Sequence, residues 1–138
     1  MRVEIVAEMF AVLPYDFESA FARGRSAGIE AVIVPVSPVF SAQGARIAEQ
    51  VMKYRLPSAT FPQLVDDTGF LISYGVNLAK ALMRAGDIAA SILKGAKAGD
   101  IPVEQPTEFE FAVNLKTAKA LKISIPRSII LRADRVIE

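Results

Sequence analysis

The chain has 138 residues, a formal net charge of +1, 52% hydrophobic and 22% charged residues, and neither histidine nor cysteine. That composition argues against a disordered chain and against a phosphate-tracking basic surface, so no nucleic-acid partner is expected. It also removes thiol and disulfide chemistry, the usual zinc ligands and the commonest general base, so no metal and no cofactor are expected.

One domain with a real core fits this length. A mean hydropathy of +0.35 predicts either a sheet covered on both faces or an apolar surface that meets a partner. In chain order, Val3, Ile5 and Ala7 alternate with Arg2, Glu4 and Val6, which predicts a strand. The same stretch is not a secretory signal, because Glu4 and Glu8 interrupt the apolar run. No apolar run reaches the length of a membrane span, so the chain as written reads as soluble, without an export address and therefore cytoplasmic.

Asp16 is placed to cap a helix with Phe17, Ala20 and Phe21 as its apolar stripe, ended by Gly24 to Gly28. "AVIVPV" (Ala31 to Val36) is short, continuous and β-branched, the pattern of a parallel strand covered on both faces. Ser37, Pro38, Val39 and Phe40 follow as its loop, and Ser41 starts a helix with Ile47, Val51 and Met52 inward. "LPSATF" (Leu56 to Phe61) predicts a short strand entered through proline. Asp66 to Gly69 reads as a turn, and Phe70 to Ser73 as an apolar strand ending at the turn Tyr74-Gly75.

Asn77 then caps a long helix in which Leu78, Leu82, Ala85, Ala89, Ile92 and Leu93 recur at helical spacing, with Gly95 as a left-handed stop. Lys97 to Pro106 is the most plausible crossing between subdomains. Glu108 to Asn114 alternates as a strand, Leu115 to Ile123 is a short helix, and Pro126 opens a last helix through Val136. Strands alternating with helices predict βαβ units, a parallel sheet and the α/β class.

Ser37, Pro38 and Phe40 follow a strand's carboxyl end, where open α/β sheets place ligands; an ordinary connecting loop is the plain alternative. Ser73 and Tyr74 offer two hydroxyls beside such an edge, or form a helix-entry turn. Asn114 can contact an amino-acid-like ligand, or cap the helix that starts at Leu115, and the cap is the simpler reading. Phe40 and Phe61 can stack on an apolar ligand or fill the core. Asp66 and Asp67 are adjacent and point apart, which disfavours a shared acid/base site, and no further oxygen ligands stand at calcium spacing. "GRSAG" (Gly24 to Gly28) lacks phosphate-loop spacing. Without a nucleophile motif, no catalytic residue is assigned and no enzyme is expected; serine, aspartate or lysine chemistry on an α/β scaffold is the weakest rival.

"SYG" (Ser73 to Gly75), "ILKG" (Ile92 to Gly95), "IPVEQPT" (Ile101 to Thr107) and "NLKTAKAL" (Asn114 to Leu121) together resemble the closing part of ABC transporter substrate-binding proteins of the tryptophan/tyrosine type. Upstream, Phe21 to Pro57 is similar to the family's middle portion. Lys122 stands where the family has glycine, and Ala98-Gly99 where it commonly has proline-alanine.

The resemblance implies a type I periplasmic-binding-protein fold of two lobes, reversible capture of a small organic solute such as an amino acid, a permease partner and a periplasmic family. It covers only the family's C-terminal half. The expected architecture is therefore a truncated, Rossmann-like parallel-sheet lobe over residues 1–72, with a crossover helix, strand and C-terminal helices over residues 73–138. In such a chain the long helix and the Phe109-to-Val113 strand lose their packing surface. Self-association, as a dimer or with exchanged elements, is then expected. The rival reading is an oligomeric interaction protein without a ligand.

Overall fold

In the computed structural model, residues 3–10, 13–64 and 69–138 are described. Five strands form one sheet in chain order: β1 (Val32–Ile33), β2 (Ser58–Thr60), β3 (Ile72–Val76), β4 (Phe109–Asn114) and β5 (Arg135–Ile137). β1, β2 and β3 run parallel, β4 runs antiparallel to β3, and β5 runs parallel to β4. The helices are α1 (Phe17–Ser26), α2 (Pro38–Ala42), α3 (Gly44–Lys53), α4 (Leu78–Leu93), α5 (Leu115–Leu121) and α6 (Arg127–Ile130).

The caps do what their side chains allow. Asp16 accepts from Ser19 N (3.0 Å), Asn77 from Lys80 N (3.1 Å) and Asn114 from Thr117 N (3.0 Å), each satisfying an amide that the first helical turn leaves without a partner. Phe17 and Phe21 of α1, Ile47, Ala48 and Val51 of α3, and Val34, Leu56, Phe61, Leu64 and Phe70 form one core.

Strand register sorts the sheet into two faces, since directly opposed residues point the same way. Ser58, Thr60, Ser73 and Ala112 lie on the covered face and are all buried. Ile33, Ala59, Ile72, Val113 and Val136 form a row across all five strands on the other face. There Val113 is buried but Ile33 is 78% exposed. The expectation of cover on both faces of "AVIVPV" therefore holds for Val34 and not for Ile33, and only Val32 and Ile33 pair as a strand.

Several expectations fall to tertiary context. Residues 3–10 form no strand, because no neighbouring strand completes their hydrogen bonds. Ser37 to Phe40 is not a loop: Ser37 is the N-cap of α2 and Pro38 its first residue, where a missing amide costs nothing, and Ser41 lies within that helix. Tyr74 and Gly75 lie inside β3 rather than in a turn. The last helix stops at Ile130, and residues 135–137 join the sheet beside β4. The expected turn over residues 66–69 lies, except for Gly69, outside the described residues.

The long helix α4 forms where its spacing predicts, yet buries no residue, and Leu82 is 64% exposed. Its apolar stripe is real but does not meet this sheet. β4 behaves differently from the expectation: Phe109 is exposed, whereas Ala112, Val113 and Asn114, the three residues that pair with β5, are buried.

Candidate functional site

The C-terminal edge of the three parallel strands collects chemistry from five chain segments. β1 leads to Ser37, β2 to Phe61 and Pro62, and β3 to Tyr74 and Asn77. Because β4 is antiparallel, it starts at this edge, bringing Phe109 and Glu110, and β5 brings Arg135. Gly75 allows a close approach here: a Cβ on it would sit 3.1 Å from Pro62 Cδ, so a larger residue would push the proline ring back by a few tenths of an ångström.

Two adjoining open cavities occupy this edge. The larger, 410 Å³, has an apolar wall of Pro62, Leu78, Ala79 and Leu82 and a polar corner of Asn77, Glu110 and Arg135. The smaller, 260 Å³, shares that corner and adds Lys80, Glu108, Phe109 and Asp134. An apolar wall with a few convergent polar groups is the usual make-up of a small-molecule site.

The corner is a connected network. Asn77 Nδ2 donates to Glu110 Oε2 at 3.0 Å and Arg135 Nη1 donates to Glu110 Oε1 at 2.8 Å. Asn77 N donates to Glu108 O at 3.2 Å, and Lys80 pairs with the Glu108 carboxylate. That hydrogen bond holds the Lys80 ammonium above its usual 10.5. Asp134 Oδ2 accepts from Phe111 N at 2.8 Å, fastening the start of β5 to β4. Among the described residues, no group of three or more acidic side chains is arranged to hold a metal ion, and no helix is long and apolar enough to cross a membrane.

The sequence-derived residues scatter. Ser37, Pro38 and Tyr74 lie at the C-terminal edge, and Tyr74, 64% exposed, stacks on Phe109 with ring centroids 5.6 Å apart. Phe40 belongs instead to an aromatic cluster with Phe10, Tyr15 and Phe17, at centroid distances of 6.1 to 6.3 Å, and Phe61 is in the core. Ser73 is fully buried, and its Oγ has no hydrogen-bond partner among the described residues. Asn114 ends β4 at the opposite edge, where its amide oxygen caps α5. Sequence reasoning missed Glu110 and Arg135: alternation in "EFEFAVN" places Glu110 on a face but says nothing of the strand beyond it.

Lys122 adopts φ 59°, the left-handed turn that glycine takes most easily, and its N–H closes α5. A left-handed helix stop is therefore present at Lys122 itself.

The chain is similar to a curated Tyrosine-binding protein of Clostridioides difficile (strain R20291), 27% identical over 93 residues, which is 67% of this chain and 27% of the relative. The fold matches a conserved domain protein from Vibrio cholerae (TM-score 0.78, 19% identity) over 88% of this chain and 40% of that one. It also matches the ABC domain in complex with L-Trp from Streptococcus pneumonia (TM-score 0.77, 22% identity) with the same coverage. A ligand-free, open substrate binding protein with adhesive properties from Clostridium difficile is more distant, at a TM-score of 0.60 and 20% identity over 88% of this chain and 41% of that one. This chain thus spans well under half the length of these relatives. Its residues 11–137 match the family described as ABC transporter substrate binding protein, and the chain belongs to that family.

Proposed function

We propose that the chain supplies one half of an amino-acid-binding cleft in an ABC uptake system, with an aromatic amino acid as the solute. The observation that carries this reading is the open cavity at the C-terminal edge, where an apolar wall meets a polar corner. A ring can lie against Pro62, Leu78 and Leu82, while the charged end of an amino acid faces Asn77, Glu110 and Arg135. Relatives named for tyrosine and L-Trp support the solute class. Ser37, Pro38 and Tyr74 stand near the same sheet edge but line neither cavity, and Tyr74 points to the face opposite Glu110. Phe40, Phe61, Ser73 and Asn114 hold the scaffold that shapes it.

In this reading residues 1–72 belong to one lobe and residues 73–138 carry the crossover elements. The exposed stripe of α4 packs against a second lobe, and a permease receives the solute. For the 138-residue chain alone, a second copy covers that stripe, because apolar area of this kind is rarely left bare. Binding without chemical conversion is the expected activity.

The chain contains no tryptophan, so emission from added L-Trp reports binding directly. Rising anisotropy of L-Trp, competed by L-Tyr and accompanied by a concentration-dependent rise in Tm, is the expected result. Unchanged anisotropy and Tm across the aromatic amino acids would overturn the proposal.

A further inference from the structure

We propose that Glu110 is a positioning residue that sets the angle at which α4 leaves the sheet, and through it the width of the cavity. This inference rests on the binding reading above. From residue 78 to residue 107 nothing is buried, so packing does not fix the direction of α4. The helix is joined to the sheet where β3 ends and β4 begins, two adjacent strands that run antiparallel. At that junction Glu110 uses both carboxylate oxygens: Oε2 accepts from Asn77 Nδ2 and Oε1 from Arg135 Nη1.

One carboxylate therefore ties the N-cap of α4 to the far strand β5. Its side chain is only 15% exposed, so solvent screens the tie less than it screens the Lys80–Glu108 pair, whose side chains are 59% and 61% exposed. The carboxylate also sits by the positive end of the helix, where a negative charge is favoured. Leu78, Ala79 and Leu82 on α4 face Pro62 across the cavity. A change in the angle of α4 moves one wall of that cavity and leaves the other in place.

Asn77 allows the tie to be cut without losing the cap. Asn77→Asp keeps an oxygen for Lys80 N but turns the donor facing Glu110 into a second carboxylate. Glu110→Gln in the same chain turns the acceptor into an amide, so that N77D/E110Q restores the hydrogen bond with its direction reversed. The absence of cysteine allows spin labels at S26C and S91C, both exposed positions, to report the distance from α4 to the body without background.

The proposal expects N77D to broaden and shift this distance distribution and N77D/E110Q to return it towards the parent. Helix content by circular dichroism should stay unchanged throughout. Amide exchange at the junction should quicken about tenfold in N77D, the size expected for one lost charge-assisted hydrogen bond. An unchanged distribution in N77D, or a double variant no better than N77D, overturns it. If N77D does not fold, E110A decides the matter: a parental distance distribution sinks the proposal and a broadened one supports it. All these readings are made without solute, so they stand apart from the L-Trp titration.

Discussion

α3 and α4 carry the same kind of message in sequence and meet different fates. Both are amphipathic, with apolar residues three and four apart, yet α3 buries Ile47, Ala48 and Val51 and α4 buries nothing. α3 lies between two paired strands, β1 and β2, and closes a βαβ unit whose core it completes. α4 lies between β3 and β4, which already pair as antiparallel neighbours, so the sheet does not need the helix to cover its crossover. A helical stripe is a request for a partner; connectivity decides whether this chain supplies it.

The largest expected effect tests that contrast directly. Ile47, buried on α3, should lose about 2–5 kcal/mol of stability as Ile47→Ala, whereas Leu82→Ala on α4 should cost under about 0.5 kcal/mol in the dilute monomer. Urea melts that gave both the same cost would erase the difference between the two helical regions. Next in size, Leu82→Glu should remove about 2 kcal/mol from any association through the α4 stripe. Sedimentation should then show monomer where the parent associates, and an unaffected assembly would move the interface elsewhere.

Ser73→Ala should raise stability by about 1 kcal/mol, because it deletes a buried hydroxyl that has no partner among the described residues. A loss of L-Trp binding in that variant would instead return Ser73 to the site. Lys122→Gly should stabilise by about 0.5–1 kcal/mol by relieving a left-handed side-chain residue. A drop in Tm would mean that the lysine side chain makes a compensating contact.

The smallest effect concerns pH. Hydrogen bonds from Ser19 hold the Asp16 carboxyl below its usual 3.8. A group depressed in the folded state contributes stability above its unfolded pKa, and that contribution is lost as pH falls through the folded one. Helix signal on acidification should fall less in Asp16→Asn, which keeps a cap oxygen, and equal acid sensitivity would remove this cap from the account.

Much of the frame was legible in sequence. Asp16, Asn77 and Asn114 announce helix starts through short polar side chains that reach their own backbone, a local property that tertiary structure did not alter. The αβ alternation and the family motifs likewise pointed to the sheet's parallel half. Of the site, Ser37, Pro38 and Tyr74 could be placed at an edge from strand ends alone, and Phe40 and Phe61, aromatics at strand ends, read more readily as core than as ligand contacts.

The sequence determined where backbone turns, caps and apolar stripes fall, because those depend on neighbours a few residues away. Only the tertiary structure decided that residues 135–137 pair as a strand, that Asn114 faces the edge away from the cavity, and that Glu110 meets Arg135 across 25 positions of chain. Those outcomes depend on strand order and direction, and hydrogen bonding between distant segments leaves no mark in the local pattern of either.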